Sequence, residues 1–249
     1  MTPKDCTFPP LPPRYDIALR SAVEFIFSRF SPASLIAAGS ILRGLPDPSS
    51  DLDIYVIHQE PFRQRIQKFF EGVPAEIFIN PPAQVERYLA EEQAACRPIT
   101  AHMLTTGFVV YGDTPLLAGL RQKAQALLDA PPAPDPIRLL WARYLAGNLY
   151  EDALDVVGRD PATAQLFLAQ AVQAMLLYAF QERGLFIPRQ KELLQRLEAL
   201  SPELAQAARC FLTASAFEHR LQAAAQIAAL TVKETGFFEW EGAPETVAP

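Results

Sequence analysis

Along the first half of the chain, apolar positions switch between helical and strand spacing. Ile17, Leu19, Val23, Phe27 and Phe30 recur as one helix face requires, and Ser31-Pro32 ends that run. Leu35-Ile36-Ala37-Ala38 is a short apolar run stopping at Gly39, and Leu52 to Ile57 is β-branched and aromatic, so both predict strands. A polar loop rich in Pro and Ser lies between them. Phe62 to Phe70 reads as a helix, with Ile66, Phe69 and Phe70 apolar and Arg63, Arg65 and Lys68 on the wet side. Ala75 to Ile79 predicts a third strand, residues 83–95 another helix, and Phe108 to Tyr111 a fourth strand closed by Gly112-Asp113. This alternation predicts an α/β layer with helices packed on a small sheet.

After Pro131 the pattern changes. Residues 137–157, 162–183, 190–200, 202–214 and 217–231 all carry helical patterning and are rich in Ala, Leu and Gln. They predict a helical bundle, with the strongly apolar segment from Leu166 to Phe180 at its centre. The expected plan is an extended lead-in over 1–13, with five prolines, and an α/β domain over 14–130. A Pro-rich linker over 131–136, a bundle over 137–235 and a tail over 236–249 follow, Phe237 to Trp240 docking on the bundle.

Composition narrows the function classes. At 249 residues, half hydrophobic and a fifth charged, the chain is expected to fold as two domains, each able to bury a core. No apolar run reaches the roughly 20 residues of a membrane span, and the start lacks a secretory layout, so no membrane partner and a cytoplasmic location are expected. Cys6, Cys96 and Cys210 show no paired spacing, which argues against a disulfide framework or structural zinc, and Cys210 is expected as a buried thiol. A formal charge of −6 makes nucleic acid an unlikely partner, because such binding needs clustered Lys and Arg. Nothing in the sequence fixes the oligomeric state.

The chemistry concentrates in residues 39–53, Gly39-Ser40-Ile41-Leu42-Arg43-Gly44-Leu45-Pro46-Asp47-Pro48-Ser49-Ser50-Asp51-Leu52-Asp53. Gly39-Ser40 ends a strand and opens a turn, where free amides and a hydroxyl can hold a phosphate. Asp51 and Asp53 stand two apart on a strand, so both carboxylates project from one face and can share metal ions. Hard oxygen ligands of this kind favour magnesium. The loop between Ser40 and Asp51 is long enough for both ends to meet on one triphosphate. Arg43, on the same turn, can reach triphosphate oxygens or brace the loop through Asp51. Asp47 reads as a turn former.

This stretch resembles the nucleotidyltransferase superfamily that includes DNA polymerase β, whose pattern is an apolar strand, Gly-Ser, a loop, and two acidic residues flanking an apolar one. Arg43-Gly44 and Ser50-Asp51-Leu52-Asp53 look most like the small bacterial and kanamycin-type enzymes. The resemblance implies an α/β (α+β) fold, a small mixed-sheet domain followed by an all-helical domain that binds the acceptor. It implies that Asp51 and Asp53, with Glu76 as a third carboxylate, hold two Mg2+ ions on a nucleoside triphosphate, ATP by default. Gly39 and Ser40 would hold its phosphates. A charge amid the apolar residues of 75–79 needs a facing metal or Arg, or a turn toward solvent. Kanamycin-type enzymes also use an acidic residue on a helix of the second domain as general base, and Glu151 in Asn148-Leu149-Tyr150-Glu151-Asp152 looks like the corresponding group. Asp155 stands where those enzymes carry a lysine. The acceptor implied is a hydroxyl on a small molecule or a protein. The competing class is a noncatalytic, nucleotide-sensing or antitoxin-like module on the same fold; tailing of nucleic acid and phosphodiester hydrolysis are further alternatives.

Overall fold

The computed structural model describes residues 5–132, 134–233, 237 and 239–242. The chain divides after Pro131 into two units, each built on its own core.

In the first unit, α1 (Pro13–Arg29) starts with a proline in its first turn and turns Ala18, Leu19, Ala22, Val23 and Ile26 inward. Five strands follow: β1 (Pro32–Ala38), β2 (Leu52–His58), β3 (Gln64–Phe70), β4 (Val73–Asn80) and β5 (Phe108–Tyr111). They form a mixed sheet in the order β3-β4-β2-β1-β5, with β2 and β4 parallel and the other pairs antiparallel. One face, with Leu52, Ile54, Val56, Ile77 and Ile79, packs into the α1 core. The helix α2 (Gly39–Leu42) is a single turn between β1 and β2. Around the sheet lie α3 (Pro82–Ala94), α4 (Ile99–Thr106) and α5 (Pro115–Asp129). The lead-in is tied down at Thr7, whose amide donates to the Val110 carbonyl at 2.8 Å along the β5 edge.

The helix expected over 62–70 is instead β3. Its signal is the two-residue turn Glu71-Gly72, at φ 50° and 75°, which joins Phe70 directly to its partner Val73. Two consecutive positive φ values give a turn whose twist matches a hairpin, so the preceding segment must be a strand. Phe69, counted toward an apolar helix face, is 71% exposed, because strand alternation points it away from Phe70. Helices α4 and α5 were not anticipated. In α4 three of eight residues are Thr, poor helix formers. In α5 a signal exists: Thr114 caps Pro115, its hydroxyl accepting from the Leu117 amide at 3.2 Å, and Leu117, Leu120, Ala124 and Leu127 face inward at helical spacing.

The second unit is all helical: α6 (Pro136–Val156), α7 (Pro161–Glu182), α8 (Leu193–Leu200), α9 (Pro202–Thr213) and α10 (Phe217–Thr231). The starts of α6, α7 and α9 are set by capping oxygens ahead of prolines. Asp135 accepts from the Ile137 amide at 2.9 Å, Asp160 from Thr163 at 3.1 Å, and Ser201 from Leu204 at 3.3 Å. The core is small and apolar, with Leu168, Ala171, Val172, Met175, Leu176 and Ala179 of α7 against Ala146, Ala153, Ala224, Ile227 and Ala228. Helix α7 runs 22 residues and is long and apolar enough to cross a membrane by length and composition, longer than its apolar stretch suggests; half of its most apolar window is buried in the bundle. Cys210 is exposed, contrary to expectation, because α9 buries Leu204, Ala207, Ala208 and Phe211 and leaves position 210 off that face; the buried thiol is Cys96. Of the expected tail, Gly236, Phe238 and residues 243–249 lie outside the described residues, and Trp240 packs edge-on against Trp141 with ring centroids 5.0 Å apart.

Candidate active site

The site is built by register. Ala38 at the end of β1 pairs with Asp53 on β2, Asp53 with Glu76 on β4, and Glu76 with Gln67 on β3. Neighbours on one rung of a sheet project from the same face, so four strands deliver this row to one place. Leu52, Ala75, Ile54 and Ile77, in the alternate positions, fill the core behind it and fix the register, since a one-residue slip would bury the carboxylates there.

Asp51, Asp53 and Glu76 each offer a carboxylate oxygen within 4.8 Å of the others. Among the described residues this is the one group of three or more side chains able to hold a metal ion together. Burial pushes the Asp53 carboxyl up from an ordinary 3.8 to about 6, and the charges of Asp51 and Glu76 push the same way. The Arg43 and Arg65 guanidiniums oppose them without cancelling them. Three carboxylates held this close repel one another, and a divalent cation is the group that would reverse that repulsion. Oxygen-only donors suit magnesium or manganese rather than softer metals. The residues therefore fit the ion that the motif implies.

Gly39 carries the chain from β1 into this row at φ 91°, and a Cβ added there would fall inside the van der Waals envelope of Asp53 Oδ2. Only glycine lets the backbone pass so close to the carboxylate. Ser40 does not act as the cap of α2, whose N-cap is Ala38. Its hydroxyl instead lies 2.8 Å from that of Ser50, which accepts from the Asp47 amide at 2.8 Å. Ser50, 9% exposed, thus closes the 40–51 loop on itself and sets Asp51 at the mouth of β2. In the sequence Ser50 stands out only as part of the Ser50-Asp51-Leu52-Asp53 stretch, with no role of its own. Arg43 follows α2, exposed, and its charge acts on Asp53.

Glu76 is 9% exposed, and an arginine does face it. Arg65 Nε and Gln67 Nε2, the latter at 3.0 Å, both donate to Glu76 Oε1. A helix over 62–70 would aim neither residue at Glu76; strand alternation does.

Glu151 lies on α6 in the helical unit, half-buried. Beside it on the helix, Asn148 accepts from the Tyr144 hydroxyl at 3.5 Å and donates to Asp152 at 3.0 Å, so a polar stripe runs along α6. Asp155 is exposed one turn further on.

Residues 18–104, which contain every sheet-borne residue of the site, match the family model of the nucleotidyltransferase domain. A nucleotidyltransferase-like protein from Exiguobacterium sibiricum 255-15 shares the fold, with a TM-score of 0.52 at 14% identity over 87% of this chain and 73% of that one. No curated protein matches the chain.

Proposed function

We propose that this protein, whose residues 18–104 match the family model of the nucleotidyltransferase domain, transfers a nucleoside monophosphate, AMP from ATP in the first instance, to a hydroxyl of a small molecule or protein and releases pyrophosphate. The observation that carries the reading is the convergence of Asp51, Asp53 and Glu76 within 4.8 Å, directly beside a glycine whose missing Cβ leaves room at Asp53. Three carboxylates crowded until one resists ionisation cost the fold stability, and a structural role gives no reason to keep them.

Asp51, Asp53 and Glu76 would hold two magnesium ions, which supply charge neutralisation at the attacking and leaving oxygens of the transfer. The chain's own groups do the rest. The Gly39-Ser40 turn offers backbone amides and a hydroxyl to the β and γ phosphates, and Ser50 fixes where that hydroxyl sits. Arg43 adds positive charge on the same turn. The attacking hydroxyl is a poor nucleophile until deprotonated, and the resemblance assigns its proton to Glu151 as general base. That hydroxyl's oxygen bonds to the α-phosphorus as the bond to the bridging oxygen of pyrophosphate breaks.

A continuous pyrophosphate-release assay with ATP, Mg2+ and a panel of polyhydroxylated amines and proteins tests this reading, with the Asp51→Asn, Asp53→Asn double variant as control. Acceptor-dependent release by the wild type alone supports it. ATP binding with no release across the panel would favour the nucleotide-sensing alternative.

A further inference from the structure

The acidic row does not end at its three carboxylates. On β3, the edge strand, Arg65 and Gln67 both donate to the same oxygen of Glu76, Oε1. Glu76 Oε2 receives neither bond. Gln67 stands directly opposite Glu76 in the β3–β4 register, while Arg65 stands opposite Phe78 and reaches along the strand. The Arg65 guanidinium lies over the Phe78 ring at 5.1 Å, and that ring stacks on buried Tyr55 at 6.0 Å and 17°. Tyr55, Phe78 and Arg65 thus form a second rung beside the first, and its aromatic part is a platform for the arginine. Arg65 is therefore held on two sides, by a carboxylate oxygen and by a ring.

We propose that Arg65, assisted by Gln67, is a positioning residue for metal binding: it holds Glu76 by Oε1 so that Oε2 is presented, at fixed rotamer, to a divalent cation shared with Asp53 and Asp51. This rests on the metal-site reading above. A cation at the carboxylates would also be repelled by the arginine, so two opposite effects compete. The Arg65 side chain is 64% exposed and its charge is screened by water, whereas its bond to Glu76, 12% exposed at the side chain, is directional and shielded. Orientation therefore outweighs repulsion. A lysine would keep the charge but lose the guanidinium whose Nε meets Glu76 while its Cζ lies over the Phe78 ring.

The test is Mn2+ titration of nucleotide-free protein followed by electron paramagnetic resonance, which reads metal affinity without turnover. Arg65→Gln should weaken Mn2+ binding about 10-fold, the lower end of the range for groups that orient metal ligands. Arg65→Lys should lose affinity in the same direction, and Gln67→Leu should lose less. In a Glu76→Gln background, Arg65→Gln should add nothing, because the arginine acts only through that carboxylate. Unchanged or tighter Mn2+ binding by Arg65→Gln, or an equal further loss in the Glu76→Gln background, overturns the inference and leaves the metal-site reading standing. A folded wild type that binds no Mn2+ overturns both.

Discussion

The acidic row of the sheet and the core of the helical bundle are opposite solutions to burial. In the bundle, Leu168, Ala171, Met175 and Leu176 are buried apolar side chains, and three of the helix starts are closed by Asp or Ser oxygens. In the sheet, Asp53 and Glu76 sit side by side on paired strands, and burial with like charges holds the Asp53 proton on to about pH 6. One region is arranged for stability. The other gives stability up in order to hold a charge pattern, which is the mark of a site rather than of a scaffold.

That contrast can be broken in four ways. The largest effect should be on chemistry: Asp53→Asn is expected to lower pyrophosphate release by about 10²–10³-fold or more, the scale for removing one group that stabilises developing charge. Circular dichroism should show the fold unchanged. Next, Leu168→Ala should cost about 2–5 kcal/mol in denaturant unfolding of the bundle transition, because a fully buried side chain is replaced by a cavity. The same variant should keep Mg2+-dependent ATP binding to the first unit.

The third effect reverses the usual sign. Asp53 takes up its proton more readily folded than unfolded, so its contribution to stability is most favourable below about pH 3.8 and falls as pH rises to about 6. Above about pH 6 the penalty is complete. Asp53→Asn removes that penalty and should stabilise metal-free protein at pH 7 by about 1–2 kcal/mol, read as a raised Tm that narrows toward pH 4. Added Mg2+ should raise the Tm of the wild type and leave the variant's nearly unmoved. The smallest effect should come from Ser201→Ala, which removes the α9 cap and should cost about 1 kcal/mol with activity intact.

The two regions were also unequally legible. Bundle helices are written in periodic apolar positions and, in three of them, Pro starts; their observed limits fall within a residue of those expected except for α8, which starts three residues later, at Leu193. Their chemistry is nearly silent, because an acidic residue on a helix, such as Glu151, looks the same whether it serves a reaction or the solvent. In the sheet the reverse holds. Gly39, Ser40, Asp51 and Asp53 are readable as a motif because each has a distinct chemical use at a fixed spacing. Yet β3 is disguised, since Ile66, Phe69 and Phe70 mimic helical spacing and only the Glu71-Gly72 turn reveals a hairpin. With β3 went Arg65 and Gln67, whose importance exists only across strands. A row of residues on four strands has no signature along the chain.

The most direct test of the central claim, that the acidic row is a metal-dependent nucleotide site, is calorimetric titration of ATP into wild type and into the Asp51→Asn, Asp53→Asn double variant, with and without Mg2+. The account predicts binding by the wild type that requires Mg2+ and is lost in a folded double variant. Equal ATP binding by both proteins, or none by a folded wild type, would contradict it.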